Sequence, residues 1–135
     1  MAECSHYYRR VIDALMREGI NHPAETFWAG VFVGICEQVM MKVKPAGMMG
    51  SEMPHCDKIS KIVADCYGLY WTRLDKPGSD EYEVWVCRRD DRQTIEELAK
   101  LRHGGLSWGE YHTLRGKLCG YSDDLIRAYT EGVWP

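Results

Sequence analysis

The chain predicts an α+β fold of mainly helical content: a long central helix surrounded by about five shorter helices, with one antiparallel β-hairpin at about residues 69–88. Three observations carry that prediction. Apolar residues recur at helical spacing from Phe27 to Val43, two aromatic and β-branched runs flank a polar turn near residue 78, and the last thirty residues are punctuated by explicit helix caps. At 135 residues the chain makes a single domain, 1–135. Such a domain buries roughly two-thirds of its unfolded surface without needing metal or disulfide staples.

The elements follow in order. Ser5 is placed to cap a first helix whose stripe is Tyr8, Val11, Ile12, Leu15 and Met16, with Gly19 as its stop. His22-Pro23 opens the second, because proline in a first turn lacks only an amide that would be unpaired anyway. Phe27, Trp28, Val31, Phe32, Ile35, Val39, Met40 and Val43 then repeat at 3.6-residue spacing up to Pro45. Gly30 and Gly34 lie one turn apart on this helix, where another backbone can approach closely. Residues 45–54, rich in Pro, Gly and Met, read as a loop whose three methionines are core filler ahead of an adaptable contact surface. Asp57 is placed to cap a short helix carrying Ile59, Ile62, Val63 and Cys66, ended by Gly68.

The grammar then changes. Leu69–Leu74 and Tyr82–Cys87 are strands, with Tyr82, Val84 and Val86 on one face and Glu83, Trp85 and Cys87 on the other. A lone hairpin is not stable in water, so it must lie on the helices. Thr94 with Glu97 suggests a capping box for a helix bearing Ile95, Leu98, Ala99 and Leu101. Ser107 with Glu110 makes a clearer one, Gly120 stops that helix, and Ser122 caps the last, which Gly132 closes.

Composition excludes several classes. Seventeen Lys and Arg face twenty Asp and Glu, giving a net charge of −3. The deficit is spread over both halves, so the local basic excess that attracts a phosphate backbone is missing and nucleic acid is disfavoured. A winged-helix arrangement, with Lys42, Lys44, Lys58 and Lys61 near a short helix and a hairpin wing, runs against that balance and against Asp57 and Asp65 on the same helix. The start of the chain lacks the basic and apolar regions of a secretory signal. The longest uncharged apolar run, residues 26–36, falls short of the ~20 residues of a spanning helix. A cytoplasmic protein without membrane contact is expected, its six cysteines reduced and several of them buried.

Catalytic and metal signatures are lacking. No C-x-x-C pair, calcium loop, phosphate loop or dinucleotide fingerprint occurs. The nearest metal set, Cys4, His6, His55, Cys56 and Cys66, is scattered along the chain, so neither metal nor cofactor is expected. His55-Cys56 and His112 with Cys119 are poorly spaced for a thiol dyad, and the pairs Asp90-Asp91 and Asp123-Asp124 are explained as helix starts.

What stands out is arginine beside aromatics. Trp85, Arg88, Arg89 and Arg92 follow the hairpin, and Trp108, Tyr111, His112 and Arg115 open the next capped helix. Guanidinium forks bind phosphate or carboxylate bidentately and aromatic faces stack on planar rings. These eight residues are the expected ligand-binding set of a non-catalytic protein capturing a small, anionic, nucleotide-like ligand. The alternative is a protein-interaction module, an inhibitor or adaptor using the methionine loop 47–54 and exposed hairpin aromatics, with self-association open. Size and a single core fit the accessory proteins that viruses and mobile elements encode.

Overall fold

Strand β3 (Tyr82–Cys87) is the element on which both halves of the chain meet. In the computed structural model, which describes residues 2–132 with side chains from residue 7 onward, it lies in the middle of a three-stranded antiparallel sheet. Strand β1 (Ala46–Gly50) pairs on one side, from Ala46 opposite Cys87 to Gly50 opposite Glu83. Strand β2 (Tyr70–Asp75) pairs on the other, from Tyr70 opposite Cys87 to Asp75 opposite Tyr82. Alternation along β3 feeds two cores. Val84 and Val86 pack with Val11, Leu15, Phe32, Cys36, Val39, Ile59 and Val63. Trp85 and Cys87 pack on the opposite face with Leu74, Leu98, Leu101 and Leu118.

The helices sort accordingly. Helices α1 (Ala2–Arg17), α2 (Pro23–Met40) and α3 (Cys56–Cys66) cover the first face, and α4 (Arg92–His103) and α5 (Trp108–Leu118) cover the second. Helix α6 (Asp123–Glu131) packs on α5. The class is the expected one, α+β and mostly helical, but the hairpin gains a third strand. Ala46-Gly47-Met48-Met49-Gly50 is poor in β-formers, yet β3 supplies its ladder. Gly47 lets α2 approach: a Cβ there would collide with the Ile35 side chain.

Several details differ from the sequence reading. Met49 and Met53 are buried and Met48 packs on the second core, so the methionines are filler and segment 47–54 is no open contact surface. Phe27 and Val43 of the α2 stripe are exposed, as are Tyr8, Ile12 and Met16 on α1, while Val11, Leu15, Phe32, Cys36 and Val39 form the core. Ser5 lies inside α1. Helix α3 begins after His55, a left-handed residue (φ 51°), with Asp57 in its first turn. Helix α4 is capped by Asp91, which accepts from the Thr94 amide at 3.1 Å and the Thr94 hydroxyl at 2.6 Å, so Thr94 is a partner of the cap. Among the described residues no helix is long and apolar enough to cross a membrane.

Candidate functional site

Helix α5 is built as its punctuation implies. The Ser107 hydroxyl accepts from the Glu110 amide and the Glu110 carboxylate accepts from the Ser107 amide, both at 3.1 Å. Those bonds to Ser107 hold the Glu110 carboxyl below its usual range. One turn of this helix presents Tyr111, His112 and Arg115. At its far end Gly116 admits α6: a Cβ there would stand 2.8 Å from Ile126 Cγ1. The Ser122 hydroxyl, accepting from the Leu125 amide at 3.2 Å, starts α6 in the direction that brings Tyr129 back over α5.

The result is two layers. In the lower, Arg115 donates to Glu83 on β3, and the Trp85 indole Nε1 donates to the same carboxylate oxygen at 3.1 Å. The guanidinium carbon is 5.5 Å from the Trp85 ring centroid. Burial works against the charge on Arg115, and the bond to Glu83 with its negative charge more than offsets it, so the pKa rises. In the upper layer, the Trp108 and His112 rings are 4.6 Å apart, His112 and Tyr129 5.1 Å, and Trp108 and Tyr129 5.7 Å and nearly parallel. Tyr111 meets His112 edge-on at 5.1 Å. Trp108 is 57% exposed and Tyr129 45%, and Tyr121 and Leu125 are exposed on the same end of the chain. Burial, then the positive charge of Arg115, pushes the His112 imidazole below its usual pKa, which makes it a neutral donor–acceptor at pH 7.

The eight residues singled out from the sequence therefore fall into three groups. Trp85 is fully buried and offers no face to a ligand. Arg115 is committed to Glu83, and Tyr111 and His112 lie between that pair and the exposed Trp108. Arg88, Arg89 and Arg92 stand at the other end of α4, about 16 Å away by helix rise. Arg88 approaches Asp90 at 3.4 Å and Asp91 at 3.8 Å. Arg89 and Arg92 are exposed and make no hydrogen bond or ion pair among the described residues. An open depression between α4 and α5 is lined by Lys100, Leu106, Gly109, Glu110, Thr113, Leu114 and Lys117, and by none of the eight.

Glu83 and Tyr129 were missed. Tyr129 had a signal in the i, i+4 pair Leu125–Tyr129, an apolar stripe beside the buried Ile126. Glu83 had none, because its role depends on which helix covers the outer face of β3.

Nucleophilic and metal chemistry gain no geometry. Cys56 Sγ turns to the Met49 carbonyl at 3.7 Å and Ser60 at 3.8 Å, while His55 pairs with Glu25 at 3.3 Å, so the adjacent pair diverges. Burial pushes the Cys56 thiol up. Among the described residues no three His, Cys, Asp or Glu side chains are grouped to hold a metal, and Cys4 and His6 lie outside those whose side chains are described. No family model matches the chain, and no curated protein or solved structure shows significant similarity to it.

Proposed function

We propose that the chain is a non-catalytic interaction module, an inhibitor or adaptor, that presents the α5–α6 aromatic surface to a protein partner. The observation that supports this most is that Trp108, His112 and Tyr129 stack on one another and still expose two large rings. Tryptophan and tyrosine supply large contact areas at low conformational cost, and they dominate the buried centres of protein interfaces. The Ser107–Glu110 box and the Glu83–Arg115–Trp85 cluster beneath fix the surface before a partner arrives, which lowers the ordering cost of binding. Free cysteines fit a reducing, cytoplasmic compartment, and accessory proteins of viruses and mobile elements act there by such contacts.

The test is a photo-crosslinking residue at Tyr121, next to the patch, introduced in the native host. A discrete adduct is expected, and it should vanish in a Trp108→Ala/Tyr129→Ala double variant whose far-UV spectrum matches the parent. An adduct indifferent to both substitutions would sink the reading.

A second reading keeps a small ring-bearing anion, stacked on the exposed face of Trp108. It is favoured by the two cations of the original set without a carboxylate partner, Arg89 and Arg92. A thermal-shift screen of nucleotides tests it. At about a hundred times its Kd a ligand stabilises by about 2.7 kcal/mol, so no shift at about a millimolar excludes ligands of about 10 μM affinity.

A further inference from the structure

The outward face of α2 has no partner within the chain. Phe27 is 63% exposed and Met41 56%. Gly30, Gly34 and Gln38 are exposed and Val31 is half-buried, and none of these six positions carries an ionisable group. A glycine inside a helix weakens it relative to alanine, so its presence usually answers a close neighbour. Gly47 and Gly116 do face packed side chains, but a Cβ on Gly30 or Gly34 meets nothing within 4 Å. The fold of one copy makes no use of these two glycines, contrary to the internal packing role their spacing suggested.

The face is matched to itself. Taken about Gly34, Phe27 and Met41 stand seven residues before and after, close to two turns each way, and Gly30 and Gln38 stand four before and after. In an antiparallel pair crossing at Gly34, Phe27 of each copy meets Met41 of the other. Gln38 then lies over the floor left by Gly30, and the two Gly34 backbones make the closest approach. Residue i on j and j on i is the pattern a closed two-fold interface requires. The antiparallel sense also sets the helix N-terminus of one copy beside the C-terminus of the other, which favours the dipoles, and no charge has to be buried.

We propose that the Phe27–Met41 face of α2 is a homodimer interface, on which a second copy of this chain packs antiparallel across Gly34. The face is about 21 Å long and about 10 Å wide. That supplies roughly half of the ~800 Å² per partner of a standard interface, so the dimer is reversible. This surface is distinct from the α5–α6 patch and does not depend on the role given to it.

Sedimentation equilibrium of the full chain, from about 1 to about 500 μM, tests the proposal over the range where a modest interface dissociates. The parent should show a monomer–dimer equilibrium. Gly34→Arg, entering open space on a helix that gains propensity, should melt no lower than the parent monomer while weakening association at least about tenfold. Phe27→Arg should do the same, and Trp108→Ala should leave the constant unchanged. A parent that stays monomeric throughout, or a dimer that Gly34→Arg leaves intact, overturns the proposal. So does binding to neutral phosphatidylcholine vesicles, abolished by Gly34→Arg, without any dimer.

Discussion

Replacing Glu83 by alanine isolates what holds the α5–α6 surface in place. The carboxylate accepts from both the Trp85 indole and Arg115. Its removal strands a donor on a tryptophan with no exposed surface, and a guanidinium only 27% exposed. An unsatisfied buried donor costs about 1–3 kcal/mol. The orphaned charge adds to that, though less than the ~3–5 kcal/mol of a fully buried pair, because solvent reaches both partners. A total of about 2–4 kcal/mol is expected. Unfolding entropy near 2.1 cal/mol/K per residue makes each kcal/mol worth about 3.5 °C in a chain of 135 residues, so the Tm should fall by about 7–14 °C.

Two companions sharpen the experiment. Glu83→Gln keeps an acceptor for the indole and loses only the charge, and should recover roughly half of the loss. Arg115→Met in a double-mutant cycle should show a coupling of about 1–3 kcal/mol with Glu83→Ala. Calorimetry or a circular-dichroism melt reads all of these. If Glu83→Ala melts within about 2 °C of the parent, less than about 0.6 kcal/mol, the two-layer construction of the site is wrong.

Local physics made much of this architecture legible. The Ser107 box, the Ser122 cap and the stop at Gly132 (φ 71°) depend on a few neighbouring residues, and each forms as its sequence implies. The face alternation of β3 is equally local, since it follows from a period of two. Strand β1 was not legible. Its glycines and methionines carry little β-propensity, and only the free edge of β3, some forty residues away in sequence, makes Ala46–Gly50 a strand. The same distance effect misled the arginine–aromatic reading. Proximity in sequence put Arg88, Arg89 and Arg92 beside Trp108, but a rigid α4 holds the two ends apart. Helix α2 shows a third case. It is apolar nearly all round, so periodicity found the helix and could not say which side faced the sheet. Phe32 and Cys36 do, and Phe27 does not.

The thiols and the imidazole give two further tests. Burial pushes Cys87 up to about 12, with the nearby Asp91 carboxylate adding to it, and raises Cys36 as well. Iodoacetamide at pH 8 followed by peptide mapping should therefore label Cys66 and Cys119 first, both half-buried. Labelling of Cys36, Cys56 and Cys87 should wait for unfolding, and early modification of Cys87 in the folded state would contradict its place in the core. The last prediction concerns His112. Its folded pKa lies below the unfolded value because burial and then Arg115 disfavour the imidazolium. The unfolded chain therefore binds the extra proton first, and the stability His112 contributes is intact above the unfolded pKa of ~6.5. That contribution shrinks as pH falls through ~6.5, and it stops shrinking only below the folded pKa. A Tm profile between about pH 7 and pH 5 should consequently be shallower for His112→Gln than for the parent, and an NMR titration should place the His112 midpoint below ~6.5. A midpoint above that value would mean that the ring stack stabilises the imidazolium, and that the exposed patch meets its partner as a cation below neutral pH.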